Sequence, residues 1–171
     1  MSRRPSVRTL VTDPEVAARV ARLLGVSEPP PTSVTSPEDV VSLVRPYLAG
    51  RETEALICVA VDRRNRPIDV AVLTTGSSGF TIVDPSQILR WVLTRTRPAN
   101  AFILAHNHPS GDPTPSAQDH EVTTRVNAAA RAVGLRLLDH VIVTDDPGAW
   151  TSLASTGALV SGYPSAPGVT G

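Results

Sequence analysis

The chain has 171 residues, and its 16 basic and 16 acidic side chains give a formal net charge of zero. This length suits one domain with a substantial core, and the balanced charge excludes a general electrostatic attraction to nucleic acid or anionic membranes. No apolar run approaches the ~20 residues of a membrane-spanning helix. The single cysteine, Cys58, excludes both an internal disulfide and a cysteine-ligated zinc site. We therefore expect a cytoplasmic protein.

The first 35 residues differ in composition from the rest of the chain. Asp13-Pro14 predicts the start of a short helix, and the run Pro29-Pro30-Pro31 predicts a stiff linker after it. We therefore divide the chain into an N-terminal helix with a proline-rich linker (1–35), a globular domain (36–159) and a disordered tail rich in Gly, Ser and Pro (160–171).

The globular part alternates apolar runs with amphipathic segments. The capping pattern Ser36-Pro37-Glu38-Asp39 predicts a helix that Pro46 interrupts. Further helices are predicted after Asp84 and over 117–133. Strands are predicted at 54–61, 68–73, 80–83, 101–105 and 135–143, and residues 150–159 fit either a strand or a helix. Strands interleaved with helices favour an α/β fold, with a mixed β-sheet flanked by helices on both faces.

The residues with metal-binding chemistry concentrate around His106-Asn107-His108-Pro109, which follows an apolar strand. Residues two apart in a strand point to the same side, so we expect the imidazoles of His106 and His108 side by side. A proline-rich loop then leads to Ser116, an N-cap candidate that places Asp119 in the first turn of the next helix. Two imidazoles and one carboxylate form the ligand set of a catalytic zinc site, whose fourth position holds water.

Two structural interpretations compete with a metal site. Ser116 and Asp119 also match a capping box, in which the carboxylate only closes the helix terminus. A His-x-His pair can equally be two hydrogen-bonded polar residues at a strand end. The presence of both features together favours a metal site. Without a cation between them, the imidazoles of His106 and His108 and the carboxylate of Asp119 would either repel one another or have no shared function.

The segment from Ile103 to Asp119 resembles the signature of the RadC-type branch of the JAMM (MPN) superfamily of zinc metalloproteases. In that superfamily a His-x-His pair is followed after seven residues by Ser, and after two more by Asp. The same spacing separates His108 from Ser116 and Asp119. The similarity extends over about 36–157 and includes the segments 62–66, 99–101 and 134–143.

The resemblance implies a fold, a cofactor and a reaction. It implies a layered α/β architecture like that of cytidine deaminases, with Zn2+ held by His106, His108 and Asp119. Active members of the superfamily hydrolyse peptide or isopeptide bonds, so a peptide or protein substrate is expected, including one with an extended C-terminal tail. Such a tail would add as a strand beside Thr74-Thr75-Gly76 and the glycine-serine loop that follows.

The resemblance also implies a general base, which takes a proton from water and hands it to the leaving amine. Glu54, directly ahead of the apolar run of the first core strand, fits this role best, and Glu52 is the alternative if the strand starts earlier. Ser116 would donate a hydrogen bond to the oxyanion, a contact worth ~3–4 kcal/mol. The same residue has an N-cap role worth ~1 kcal/mol, and the two roles are compatible.

Other polar residues near the motif are expected to have supporting roles. Asn107 points to the opposite strand face from the two histidines and is expected to hold the loop. His120 and His140 are expected to be bystanders, unless one of them supports a metal ligand through a hydrogen bond.

The main alternative function is that of a non-catalytic RadC-like module associated with DNA repair or mobile elements. The Arg63-Arg64-Arg66 cluster suits phosphate contacts, whereas the neutral net charge counts against direct nucleic-acid binding. A zinc nucleobase deaminase is excluded, because that class requires Pro-Cys-x-x-Cys and the chain has one cysteine.

Overall fold

The computed structural model describes residues 32–48, 50–76, 84–95 and 98–159. The described elements, in chain order, are α1 (Pro37–Leu48), β1 (Glu54–Val61), β2 (Pro67–Gly76), α2 (Pro85–Leu93), β3 (Ala101–Asn107), α3 (Ala117–Ala132), β4 (Arg136–Val143) and β5 (Trp150–Ser152). The predictions of a helix from Asp13, a linker at Pro29-Pro30-Pro31, a strand at 80–83 and a disordered tail lie outside the described residues.

The five strands form one mixed sheet in the order β2-β1-β3-β4-β5. β1 runs antiparallel to both β2 and β3, whereas β3 and β4 run parallel. A parallel pair needs a crossover connection, and α3 supplies it. Because β1 and β3 are antiparallel, Leu56 near the start of β1 pairs with His106 near the end of β3. The polar loop after β3 therefore leaves the sheet beside the start of β1.

Helices cover both faces of the sheet, which confirms the predicted α/β architecture. One face packs against α2 and α3 and includes Phe102 and Leu104 in its core. The other face packs against α1 and includes Ile103 and Val44. Successive residues of β3 alternate between these two cores, and every residue of the strand is buried. By the same alternation, His106 points toward the layer that contains α3.

Helix α1 begins at the predicted capping pattern. Asp39 Oδ2 accepts a hydrogen bond from the Ser36 N–H (3.1 Å), and Ser36 Oγ accepts one from the Asp39 N–H (3.4 Å). The prediction that Pro46 interrupts the helix is wrong, since the helix continues to Leu48. The proline lies in the last turn, where it removes only one intrahelical donor, and Leu48 beyond it is buried in the core.

A polar hairpin over residues 62–66 joins β1 to β2. Asn65 adopts a left-handed φ of 54°, a conformation that asparagine tolerates better than most residues. Asp62 Oδ1 accepts hydrogen bonds from the backbone N–H groups of Arg64 (2.8 Å) and Arg66 (3.0 Å). Strand β2 then runs farther than predicted, to Gly76.

The segment 150–159 contains the short strand β5 followed by turns, so the strand alternative is confirmed over three residues. The buried carboxylate of Asp139 holds this segment against β4. It accepts hydrogen bonds from Ser152 Oγ (2.7 Å) and from the Ala154 N–H (3.0 Å). Within the described ranges, no helix has both the length and the apolar character needed to cross a bilayer.

Candidate metal centre

Three polar side chains meet where the end of β3 faces the first turn of α3. His106 is the penultimate residue of β3, and His108 follows the strand. The backbone N–H of His108 donates to the carbonyl of Val143 at the end of β4 (2.9 Å). Asp119 occupies the third position of α3, behind the N-cap residue Ser116. The structure therefore brings together the three residues that the sequence predicts as metal ligands.

The distances within this cluster suit a shared cation. The Nε2 atoms of His106 and His108 lie 2.9 Å apart, and His106 Nε2 lies 3.2 Å from Asp119 Oδ1. One ligand atom from each residue lies within 4.8 Å of the others. Ligands at ~2.0–2.1 Å from a tetrahedral zinc are roughly 3.3 Å apart, so the cluster needs only small adjustments to hold one ion.

The polar atoms that face the centre support this fit. Asp119 is 1% exposed, and among the described residues its Oδ1 atom accepts no hydrogen bond. A buried acceptor without a donor is costly and rare. His108 Nδ1 lies 2.8 Å from the carbonyl of Asp112, which requires a hydrogen on Nδ1 and leaves Nε2 directed at the cluster. These donor atoms are those that a divalent ion such as zinc binds.

The electrostatics of the cluster favour a positive charge at its centre. Burial raises the pKa of Asp119, but the rings of His106 and His108 and the Ser116 hydroxyl outweigh burial and hold that pKa well below its usual range. The adjacent Asp119 raises the pKa of His108, whereas desolvation lowers the pKa of His106. An ionised carboxylate thus stands beside two imidazoles, and a proton or a metal ion balances its charge.

Ser116 orients the carboxylate of Asp119. The Ser116 backbone N–H and hydroxyl both donate to Asp119 Oδ2, at 2.7 and 2.6 Å, and Ser116 Oγ accepts from the Asp119 N–H at 3.2 Å. This capping box confirms the structural interpretation of the two residues. The hydrogen bonds from Ser116 occupy Oδ2 of Asp119 and leave Oδ1 facing His106. The same arrangement of Ser116 and Asp119 therefore caps the helix and orients the carboxylate toward the candidate metal centre.

A cleft of about 370 Å³ opens beside the cluster, lined by Glu54, His108, Ser116 and Asp119 and by the loop between them. The Oε2 atom of Glu54 is buried and, among the described residues, has no hydrogen-bond partner. Glu52 is exposed and does not line the cleft. The structure therefore places Glu54, and not Glu52, at the candidate site.

The loop of the cleft folds back on itself at Gly111. This residue has a φ of 82°, in the left-handed region that favours glycine, and its N–H donates to the carbonyl of His108 (3.1 Å). The turn brings the carbonyl of Asp112 against the His108 ring.

Asn107 holds a different segment from the one predicted. Its Oδ1 accepts a hydrogen bond from the Ala55 N–H (2.8 Å), and its Nδ2 donates to the Thr53 carbonyl (3.1 Å). The side chain therefore fixes the chain on both sides of Glu54 instead of the loop after β3. Asn107 therefore holds a backbone segment, as predicted, but that segment is residues 53–55 and not the loop after β3.

The two remaining histidines of the described domain behave differently. His120 is exposed on α3, as predicted. His140 is fully buried, and its Nε2 lies 2.8 Å from His106 Nδ1. His140 is therefore not a bystander, and the structure contains the alternative contact, a hydrogen bond to the candidate metal ligand His106.

Thr123 is a further polar residue of the centre that no sequence motif indicated. Its hydroxyl donates to the Asp119 carbonyl (2.6 Å) and lies 2.6 Å from His140 Nδ1. The only signal in the sequence was its position four residues after Asp119, on the same helix face.

The Arg63-Arg64-Arg66 cluster lies in the β1–β2 hairpin. The hairpin joins the far end of β1, seven residues beyond Glu54 at ~3.3 Å per residue. Arg66 pairs with Asp62 at 2.9 Å, which offsets part of the positive charge. The cluster is therefore separate from the candidate metal centre.

The domain is similar to proteins of one family. The family model described as the RadC-like JAB domain matches residues 34–158. A UPF0758 protein of Caldanaerobacter subterraneus subsp. tengcongensis is 40% identical over 116 residues, which are 68% of this chain and 49% of that protein. UPF0758 proteins of Coprothermobacter proteolyticus (43% over 114 residues, 64% and 48%) and Symbiobacterium thermophilum (36% over 124 residues, 72% and 51%) are also similar.

The chain spans about half the length of these curated relatives. The family match covers the sheet, the three described helices and every residue of the candidate centre. The chain belongs to the RadC-like JAB domain family.

Proposed function

We propose that this protein is a zinc-dependent hydrolase of amide bonds that acts on a peptide or protein substrate. The observation that carries the proposal is the convergence of His106, His108 and Asp119 on one point, beside the carboxylate of Glu54, whose Oε2 atom is buried. The JAMM superfamily, to which JAB domains belong, includes metalloproteases, and this supports the same reaction class.

The ligand cluster matches the needs of a catalytic zinc site. A zinc ion held by three protein groups supplies a Lewis acid, which polarises a carbonyl group and lowers the pKa of water to about 7. The chain supplies two imidazole nitrogens and one carboxylate oxygen, and the cleft leaves one side of the cluster open to water and substrate.

Glu54 is the proposed general base. Its carboxylate lines the cleft with His108 and Asp119, and the buried Oε2 has a lone pair that no described group engages. From this position Glu54 can take a proton from a water molecule in the cleft and pass it to the amide nitrogen as the bond breaks. Asn107 holds the backbone on both sides of Glu54, and so limits its movement.

Ser116 is the proposed donor to the developing oxyanion. Its hydroxyl lines the cleft but donates to Asp119 Oδ2 at 2.6 Å. A donation to substrate therefore requires rotation of the hydroxyl, with the backbone N–H of Ser116 continuing to hold the carboxylate at 2.7 Å. A hydrogen bond of this kind is worth ~3–4 kcal/mol in the transition state.

An extended peptide is the proposed form of the substrate. β2 is at one edge of the described sheet, and Gly76 at its end pairs with Glu54. A peptide that added to this edge as a further strand would run toward the cleft.

A peptide-library cleavage assay tests the proposal. Zinc-loaded protein is incubated with the library, with and without a chelator, and products are identified by mass spectrometry. Cleavage that chelator abolishes and zinc restores is the expected result. Stoichiometric zinc binding without cleavage of any peptide would instead favour the non-catalytic role.

A further inference from the structure

A chain of three buried hydrogen bonds runs from α3 through β4 to the metal-facing ring of His106. The Thr123 hydroxyl contacts the Asp119 carbonyl (2.6 Å) and His140 Nδ1 (2.6 Å). His140 Nε2 in turn contacts His106 Nδ1 (2.8 Å). Thr123 is 1% exposed and both rings are fully buried, so solvent does not compete for these contacts.

The direction of the hydrogen bonds follows from counting hydrogens. Two oxygen atoms 2.6 Å apart repel unless a hydrogen lies between them, and the carbonyl of Asp119 has none to give. The single Thr123 hydrogen is therefore donated to that carbonyl. The contact between Thr123 Oγ1 and His140 Nδ1 then needs a hydrogen from the ring, so His140 carries its hydrogen on Nδ1.

The remaining nitrogen of His140 must accept. The ring is completely buried, and a buried, unpaired charge is costly. Within the described structure its two nitrogens contact Thr123 Oγ1 and His106 Nδ1, and neither partner is an anion that could balance a charge on the ring. The ring is therefore neutral, and Nε2 has a lone pair. The hydrogen in the 2.8 Å contact then belongs to His106 Nδ1.

We infer that Thr123 and His140 act as positioning residues, which fix His106 in the Nδ1–H tautomer and so direct its Nε2 lone pair at the metal centre. The consequence for metal binding rests on the proposed function, whereas the tautomer itself does not. Partners of this kind orient metal-binding histidines, and their loss typically lowers metal affinity about 10–100-fold.

The position of His140 depends on an irregularity in β4. Phe102 pairs with Leu137, but the next residue of β3, Ile103, pairs with Asp139. The extra residue, Leu138, belongs to the core on the α1 side, and after it His140 and Ile142 face the α3 side. An insertion of this kind re-aims the side chains that follow it.

Nuclear magnetic resonance of the metal-free full chain, with 15N-labelled histidine, tests the inference directly. Long-range 1H–15N correlations at neutral pH distinguish a protonated ring nitrogen from an unprotonated one. We expect protonated Nδ1 and unprotonated Nε2 for His106, and the same pattern for His140. A His106 ring with its hydrogen on Nε2 alone would overturn the inference, without any assay of metal or activity.

Variants of Thr123 extend the test. Thr123→Val removes the hydroxyl at nearly constant volume, and Thr123→Ser keeps it. Thr124→Val is the matched control, because the Thr124 hydroxyl makes the same type of helical bond, to the His120 carbonyl (2.8 Å), on the exposed side of α3. We expect Thr123→Val to mix the tautomers of His106 and to weaken zinc binding about 10-fold, the lower end of the range.

Thr123→Ser and Thr124→Val are expected to keep the wild-type tautomer of His106 and the wild-type zinc affinity. The tautomer is measured by the same NMR experiment, and the zinc affinity by competition with a chromophoric chelator. Equal zinc affinity and an unchanged His106 pattern in Thr123→Val and Thr124→Val would overturn the inference. If the wild-type protein bound no zinc but showed the expected tautomers, the proposed function would fail and the inference would stand.

Discussion

Asn107 Oδ1 accepts a 2.8 Å hydrogen bond from the backbone N–H of Ala55, so the residue between the two metal-facing histidines also holds the residue that follows Glu54. One strand thus positions both halves of the candidate site. The even-numbered residues of β3, which include His106, point toward α3. The last residue of β3, Asn107, points to the opposite face and contacts the start of β1.

This relationship predicts the effect of Asn107→Asp, which preserves shape but replaces the amide donor with an oxygen. The new carboxylate would face the Thr53 carbonyl that Asn107 now satisfies at 3.1 Å. We expect a loss of stability of about 1–3 kcal/mol in urea denaturation, slower hydrolysis and normal zinc content. A variant that lost zinc in proportion to its activity would show that Asn107 supports the ligands instead of Glu54.

His108→Ala is expected to abolish stoichiometric zinc binding. Purified wild-type protein should contain about one zinc per chain by elemental analysis, because three ligands converge on one point. His120→Ala is the matched control, since it removes an exposed histidine one residue after Asp119. Equal zinc content in the two variants would contradict the assignment of His108 as a ligand.

Glu54→Gln is expected to retain zinc and to lower the hydrolysis rate by about 10²–10⁴-fold, the usual contribution of a general base. The amide keeps the size of the side chain but cannot accept a proton at neutral pH. Glu52→Gln, at an exposed position outside the cleft, should leave the rate unchanged. A large loss in Glu52→Gln alone would move the role of base to that residue.

Ser116→Ala separates the cap from the metal site when it is compared with Ser36→Ala. Both serines accept a hydrogen bond at a helix N-terminus, so each variant should lose about 1 kcal/mol of stability. Only Ser116 also donates through its hydroxyl to the metal-facing carboxylate, at 2.6 Å. We therefore expect weaker zinc binding and slower hydrolysis in Ser116→Ala, and wild-type values for both in Ser36→Ala.

Zinc itself is expected to stabilise the folded chain, because its ligands come together only in the native state. At a free zinc concentration 100 times the dissociation constant, binding adds about 2.7 kcal/mol. Thermal unfolding should therefore shift to higher temperature with zinc and return with chelator. His108→Ala should show no such shift.

Local sequence patterns predicted much of the fold. The continuous apolar runs of β1 and β3 predicted strands buried on both faces, and both strands are buried over nearly their whole length. The continuation of α1 for two residues beyond Pro46 could not be predicted, because the stabilisation from burying Leu48 comes from the core and not from the helix itself. The last strand, β5, was ambiguous because its three residues are too few to show a periodicity, and its place depends on pairing with β4 and on the contact of Ser152 with Asp139.

The grouping of the three candidate ligands could be predicted from the sequence alone. His106, His108 and Asp119 lie on a strand, a stiff loop and a helix start that follow one another directly, so their proximity depends on local conformation. The cap by Ser116 is local for the same reason.

Only the tertiary structure decided which residues support those ligands. The contact of Asn107 with Ala55 joins residues 52 positions apart, and that of His106 with His140 joins residues 34 apart. Both depend on strand register, and a single extra residue in β4 determines the face to which His140 points. Alternation along one strand cannot reveal such a shift, because the pairing with the neighbouring strand sets it.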